Sequence, residues 1–510
     1  MRKIIQVINT LKSKKLEYLK KYIYLCKQTT DNLKLSSMDY LERKKIFVNE
    51  FVNEIQSSNL SLFLGAGMSF ESGLPSWKNL LGDLANKINI KIDDAHDYYQ
   101  IAQYCENKLG SAYVKNSITR LLNPKKYSSN ILKSILGLPA NNFWTTNFDR
   151  VLEKNIEKEF KTHPDIIYRD VDLIKTREKS AKVIFKMNGH IDDQTSWILT
   201  KSDLEGYEYN HQAMLTFLRR ELIVNTFLFL GYSFTDTLIL STLRDVKRYL
   251  GGINPTHYHY TIIKERNNQE FPYFVENLER SYGIKSLIIP QKIFPQNISY
   301  SELTAMMDSE KMDIIDMINK RVKMKQIYIS GSYRKISRKE ECFSSQLAKY
   351  LTENMLEQGY RICNGFGRGV GSRIIEFASE WLIENNQQID KKLILRTRPF
   401  HAQNGVNDST KEYRQHIMRD SGIAIFMFGQ SKSNIKGSEG VRQEFIVAKE
   451  LGMKIIPLGI TGYEALKIWD EIKKEISCYG YLEKYIDTLK TERDPKKLAD
   501  IVIAIINNIQ

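Results

Sequence analysis

Phe63-Leu-Gly-Ala-Gly67-Met-Ser69-Phe-Glu-Ser-Gly73-Leu-Pro75 grows directly out of the apolar run Leu60-Ser-Leu-Phe-Leu64. A short apolar strand that runs into a Gly-Ala-Gly turn suits an open α/β sheet. The glycines let the backbone approach a pyrophosphate, and free N–H groups at the start of a following helix favour negative charge. Two commoner phosphate turns are excluded. The dinucleotide pattern GxGxxG fails because Phe70 holds the third glycine position, and GxxxxGK[ST] does not occur. Taken alone, such a turn is equally at home as plain structure.

Downstream, three more apolar runs end in polar clusters. Asn142–Thr145 leads into Trp144-Thr-Thr-Asn147-Phe-Asp149, and Val183–Met187 into Lys186-Met-Asn-Gly-His190-Ile-Asp192. Thr226–Leu230 leads into Leu230-Gly-Tyr-Ser233-Phe-Thr-Asp236, and Tyr258–Ile263 reads as a further strand. Singly, Asn147, Asp149 and Ser233 are good helix caps, and His190 is an ordinary loop residue. Together they describe one crevice, because the carboxyl ends of strands converge in a doubly wound sheet. The alternation of strands with helical patterns predicts a parallel sheet wrapped by helices.

Residues 291–325 carry five methionines and no strong strand, which predicts a linker plus a helix. A second strand–glycine entry follows at Gln326-Ile-Tyr-Ile-Ser-Gly331, with strands expected at Arg361–Asn364, Lys392–Arg396, Ile423–Phe428 and Lys454–Ile460, and a last helix at Pro495–Asn508. Asn364-Gly-Phe-Gly-Arg-Gly-Val-Gly371 offers backbone N–H groups, and Arg334, Arg368 and Arg373 add charge beside them. Arg and Lys bind phosphates, and an acidic residue such as Glu439 or Glu444 takes ribose hydroxyls. With no nucleophile–base pair in view, this half reads as a sensor.

The 510 residues exceed one ordinary core, so two or more domains are expected. The expected organisation is a basic helical extension over 1–56, an α/β domain over 57–290, a linker and helix over 291–325, and a second α/β domain over 326–510. Lys and Arg outnumber Asp and Glu by 75 to 60, for a net charge of +15. That suits an anionic ligand or nucleic acid, but no aromatic–basic stripe favours nucleic acid. Residues 1–50 hold 12 Lys/Arg against 5 Asp/Glu, and Ile4, Ile5, Ile8, Leu11 and Leu16 suit one helical face that packs on protein or lies on a membrane. Asp39 is an expected N-cap for a helix over Tyr40–Gln56. Five scattered cysteines without a CxxC pair predict neither a disulfide framework nor a cysteine zinc site, and fit a reducing cytoplasm. No secretory signal and no membrane span are expected.

The order GAGxS with SGxP, then TxNxD, then a His-bearing loop, then GxS resembles the sirtuin NAD-binding domain over about residues 57–290. The resemblance implies that Ala66, Gly67 and Ser69 contact phosphates, and that Asn147 and Asp149 hold the nicotinamide ribose and the reacting centre. It makes His190 the catalytic base, acting through a ribose hydroxyl, and puts Ser233 and Asp236 beside the adenosine half. Deacylase sirtuins carry a four-cysteine zinc module, whereas no cysteine lies between Asn147 and Ser233 here. Water then replaces acyl-lysine as acceptor, and the implied reaction is NAD hydrolysis without a metal.

The second half resembles the SLOG group. The fusion is similar to the NADase effector family of bacterial Thoeris anti-phage defence, so the expected fold is two doubly wound domains, a sirtuin-like Rossmann-type domain followed by a SLOG Rossmann-like domain. The resemblance implies a TIR-domain partner whose product, a cyclic ADP-ribose isomer, binds the SLOG domain and triggers NAD depletion. Expected signal contacts are Gly331, Ser332, Arg334, Gly365, Gly367, Arg398, Arg414, Lys432, Glu439 and Glu444. A homo-oligomer, tetramer or filament, is implied as well. Two other readings stay open: a nucleotide sensor without catalysis, and an NADase triggered by nucleic acid, whose affinity would fall steeply with salt.

Overall fold

The computed structural model describes residues 39–93, 96–177, 182–251, 258–396, 407–430 and 438–509. The apolar face expected within residues 1–38, and the candidate contacts Arg398 and Lys432, lie outside the described residues. The chain divides into two units, Met1–Ile318 and Asn319–Gln510.

The first unit is built on seven strands: β1 (Asn59–Leu64), β2 (Ala140–Thr145), β3 (Asp165–Ile167), β4 (Val183–Lys186), β5 (Asn225–Leu230), β6 (His259–Lys264) and β7 (Ile284–Ile289). Their order is β3-β4-β2-β1-β5-β6-β7, and every pairing is parallel. Covered on both faces, the central strands must be apolar almost throughout. All six residues of β5 are buried, as are the last five of β1. Trp144 of β2 stacks on Phe185 of β4 with ring centroids 4.1 Å apart, filling one face beneath the strand ends. The chain leaves β1 for β2 on one side and returns to it as β5 on the other, so a switch point opens at the carboxyl end of β1.

The helix Tyr40–Ser57 starts where Asp39 accepts a hydrogen bond from the Tyr40 N–H. Its buried Phe47 and Phe51 pack on Tyr260 of β6, with centroids 5.6 and 5.0 Å away. Two strands add to those expected from the sequence. β3 is only three residues long, too short for a periodicity to appear. β7 follows the helix Phe271–Tyr282 after Gly283, whose φ of 71° is the left-handed helix stop.

The span expected as linker plus helix holds a turn at Gln291–Ile293 and the helix Tyr300–Met324, within which the two units divide. The second unit carries β8 (Gln326–Ser332), β9 (Arg361–Asn364), β10 (Leu393–Leu395), β11 (Ile423–Phe428) and β12 (Lys454–Pro457), in the all-parallel order β10-β9-β8-β11-β12. Its switch point lies between β9 and β11, at β8. Two strands are shorter than the sequence suggests. β10 is preceded by a helical turn over Ile389–Lys392, and β12 ends at Pro457, with the Leu458 N–H donating once more to Phe426 O at 2.8 Å before the turn Gly459–Thr461.

Candidate functional site

β1, β2 and β5 end in register, with Leu64 paired to both Thr145 and Leu230, and Thr145 is in turn paired to Lys186 at the end of β4. The four polar clusters therefore start from one level of the sheet. Thr145 Oγ1 donates to Leu64 O at 2.7 Å and accepts from the Asn147 N–H at 3.0 Å, which turns Asn147 back over β1. Asn147 Nδ2 then donates to Gly65 O at 3.2 Å and Ser69 Oγ at 3.3 Å. Ser69 Oγ donates to Asp149 Oδ2 at 3.0 Å, and Asp149 Oδ1 accepts from the Val151 N–H at 2.8 Å. Asp149 thus starts the helix Val151–Phe160 and ties the glycine turn to the Asn147 loop in one move. Burial pushes its carboxyl above the ordinary value, while the Lys186 charge pulls it down.

The glycines differ from the sequence expectation in what they do. Their N–H groups are not free: Gly65 donates to Leu230 O at 2.9 Å, and Gly67 donates to Gly231 O at 3.1 Å. No long helix follows at once, only short turns over Ala66–Met68 and Phe70–Ser72; the helix Trp77–Lys87 comes later, capped by Ser76. The missing side chains serve the meeting of two turns. A Cβ on Gly65 would lie 2.4 Å from Gly231 O. Because that obstacle is backbone, Gly65→Ala should cost about 1–3 kcal/mol of stability. A lowered thermal unfolding midpoint checks this; an unchanged one would mean the turns tolerate separation.

The His190 loop docks against the Asn147 loop through the Ile191 N–H, which donates to Phe148 O at 3.0 Å. Gly189, with φ 97°, lies so close to Ser196 O that a Cβ would be 2.3 Å from it. His190 itself is buried, its N–H donating to Ser196 Oγ and its carbonyl accepting from Trp197 Nε1. On the ring, Nδ1 accepts from the Asp192 N–H at 3.2 Å, and Nε2 lies 3.5 Å from Glu153 Oε1. Tyr168 packs on the ring with centroids 5.4 Å apart.

Two charged residues that the sequence reading left unassigned sit beneath this group. Lys186, 1% exposed, donates to Phe148 O, Asp149 O and Glu153 Oε1. Burial would raise the Glu153 carboxyl, but the Lys186 charge and the hydrogen bonds it receives outweigh that, and it stays below its ordinary value. Among the signals available, a lysine closing the apolar run Val-Ile-Phe-Lys186 was the legible one. Ser69, Asn147, Asp149, Glu153 and Lys186 line a cavity with room for about one water molecule.

Ser233 and Asp236 stand apart from that cavity. Ser233 is exposed and bonds Thr235, whereas Asp236 is buried, caps the helix Thr237–Tyr249 and accepts from Tyr99 Oη at 3.1 Å. Ala66 and Gly67 are half-exposed beside Ser69.

In the second unit, Ser330 Oγ donates to Glu444 Oε2 at 2.6 Å. Tyr328, Glu444 and Arg414 act on one another: burial raises the Tyr328 hydroxyl far above its ordinary value, Glu444 adds to the rise, and the Arg414 charge opposes it. Arg414 is buried on the helix Asn407–Met418, and Gly365 lies against Tyr328, where a Cβ would be 2.6 Å from the hydroxyl. These residues gather around β8. Tyr328, Ser330 and Gln430 were not anticipated; Gln430 Oε1 accepts from the N–H groups of Arg334 and Lys335. The glycine run is tighter than expected, since a Cβ on Gly367 would lie 2.0 Å from Gly331 O. Ser332 O accepts from the N–H groups of Gly429 and Gln430. Glu439 is exposed and bonds its neighbour Gln443.

Among the described residues, no group of three or more His, Cys, Asp or Glu is placed to hold a metal ion, and no helix is long and apolar enough to cross a membrane.

Comparison with known proteins fits both units. A family model described as a SIR2-like domain matches residues 141–287. One described as the Sir2- and TIR-associating SLOG family matches residues 310–509. Relatives named NAD(+) hydrolase ThsA occur in Cytobacillus dafuensis, 30% identical over 84% of this chain and 88% of that protein, and in Bacillus cereus strain MSX-D12, 29% identical over 85% and 90%. A third, from Enterococcus faecium, is 29% identical over 92% of this chain and 99% of its own.

Proposed function

Since the chain belongs to the family of the NAD(+) hydrolase ThsA proteins, we propose that it hydrolyses NAD to nicotinamide and ADP-ribose at the crevice above β1, β2 and β4, as an effector of anti-phage defence. Asn147 and His190 carry the chemistry. Nicotinamide leaves as a neutral group from a cationic ring, so the ribose gains oxocarbenium character. The enzyme needs only to orient the sugar, favour the growing positive charge and admit water. Asn147 positions the ribose or the water, and His190 takes the proton lost as water adds. Ala66, Gly67, Ser69 and Asp149 contact the phosphates and the nicotinamide ribose, while Ser233 and Asp236 border the adenosine half.

The observation that carries this reading is the linked set Ser69–Asn147–Asp149, with His190 docked beside it at one level of the sheet. The one-water cavity beneath Asn147 and Asp149 is far smaller than the roughly 300–1,000 Å³ of an ordinary ligand pocket, so NAD binds above it and not within it.

The second unit, a SLOG domain over 326–510, supplies the gate by binding a cyclic ADP-ribose isomer made by a TIR-domain partner protein. A ligand opens the first unit only through a higher affinity for the open state. Gly331, Ser332, Arg334, Gly365, Gly367, Arg414, Glu439 and Glu444 form its site, with Arg398 and Lys432 added from outside the described residues. The enzyme works in the cytoplasm as a homo-oligomer. The test is NAD consumption by the purified chain, with and without a panel of cyclic ADP-ribose isomers. Turnover of more than tenfold over background with one isomer alone is expected. NAD binding without turnover under any isomer would replace the enzyme by a sensor.

A further inference from the structure

We propose that Glu153 is a positioning residue for His190: its carboxylate, anchored by Lys186, faces imidazole Nε2 and commits Nδ1 to receiving the substrate proton. The inference deepens the hydrolase reading and rests on it.

The tautomer comes first. Asp192 donates its N–H to Nδ1 at 3.2 Å, so in the neutral ring Nδ1 is the acceptor and the proton sits on Nε2. Nε2 is buried without a hydrogen bond, and the carboxylate oxygen Glu153 Oε1 stands 3.5 Å away. Glu153 Oε2 is also buried without a partner. Nε2 is satisfied when the ring and the carboxylate close by a few tenths of an ångström, with Oε1 then shared between Lys186 and the imidazole.

Glu153 is suited to this because it cannot wander. It rises from the helix Val151–Phe160 and is held by Lys186, whose other two bonds go to the backbone of Phe148 and Asp149. The same lysine therefore fixes the carboxylate behind His190 and the loop that presents Asn147. The other groups facing the ring are the Asp192 carboxylate, 3.4 Å from Nδ1 and paired with Arg150, and the Tyr168 ring, itself beneath Arg169. Asp149 lies beyond Lys186.

The proton step balances. As water adds to the ribose carbon and the bond to nicotinamide breaks, one O–H bond is lost, directly or through a ribose hydroxyl. An Nδ1–H bond forms once the substrate displaces the Asp192 N–H. The ring becomes imidazolium with both nitrogens protonated, Glu153 balances its charge, and the proton then leaves to solvent. A carboxylate behind the base acts here as the aspartate does in a Ser-His-Asp triad, orienting the ring and stabilising its cation.

The experiment uses the full chain labelled at histidine Cε1. The chain has eight histidines, and the His190 signal is assigned by its loss in His190→Asn. Its titration is followed in wild type, in Glu153→Gln, and in Glu153→Gln combined with Lys186→Met, which removes the pair without leaving a buried charge. The midpoint should fall in Glu153→Gln, which removes the carboxylate facing Nε2; in the double variant, where a cation leaves with the anion, the readouts are folding and the loss of kcat/KM. In Glu153→Gln the acid limb of kcat/KM should move the same way, with a loss of about 10²-fold, and Glu153→Asp should recover part of it. An unshifted midpoint or acid limb in Glu153→Gln, full kcat/KM in the double variant, or unfolding of both variants would overturn the proposal, the last by making the pair a structural bridge. Failure of the hydrolase reading is separate: wild type would then consume no NAD, whatever the His190 titration does.

Discussion

His190→Ala abolishes NAD hydrolysis, with a loss of about 10²–10⁴-fold in kcat, the range that a positioned general base contributes, and it leaves the chain folded. The loop is held by groups this substitution spares. The His190 N–H and carbonyl bond Ser196 and Trp197, and Ile191 bonds Phe148, all without the imidazole. The ring itself accepts one backbone hydrogen bond, from Asp192. NAD consumption under activating conditions, read beside far-ultraviolet circular dichroism and a thermal melt, decides the matter. A variant that melts early would make His190 a core residue. A folded variant with more than a tenth of normal turnover would move the base elsewhere.

The second large effect lies in the other unit. Arg414→Ala raises the concentration of cyclic ADP-ribose isomer needed for half-activation by about 10–100-fold, the equivalent of one charge-assisted hydrogen bond of about 1.5–3 kcal/mol. The Arg414 guanidinium is buried near Tyr328, on which Glu444 also acts, and its planar fork matches the oxygens of a phosphate. Arg414→Lys keeps the charge and loses the fork, so it should fall between. Calorimetric titration of the isomer into the full chain measures this independently of turnover. Unchanged affinity in both variants would take Arg414 out of the signal site.

The strands that frame both crevices were legible because each is an apolar run closed by polar or glycine residues. β9 and β11 lie where the sequence puts them to the residue, and β1 within one. β3 was hidden by its length, and β7 by its Lys285-Ser286 interruption. At the site, the residues that end strands were readable as a set, since their order along the chain carries the pattern. Two things were not. Glycine spacing cannot say whether a turn opens its N–H groups to a ligand or donates them to a neighbouring turn, as Gly65 and Gly67 do. And Glu153 sits among the similar charges of Val-Leu-Glu153-Lys-Asn-Ile-Glu-Lys-Glu-Phe160, where nothing local separates a buried carboxylate from solvated ones.

The buried Lys186–Glu153 pair also bears on how this chain can drift. Losing either partner strands an uncompensated charge in the interior, whereas exchanging both for apolar residues of like volume is close to neutral for folding. For folding, the two positions therefore form an epistatic couple, separated from any apolar alternative by a stability valley that single substitutions cannot cross cheaply. Because the lysine also holds the Phe148 and Asp149 carbonyls, the valley is deeper on its side. Across diverging copies of this gene, the glutamate should be replaced before the lysine, and seldom the reverse.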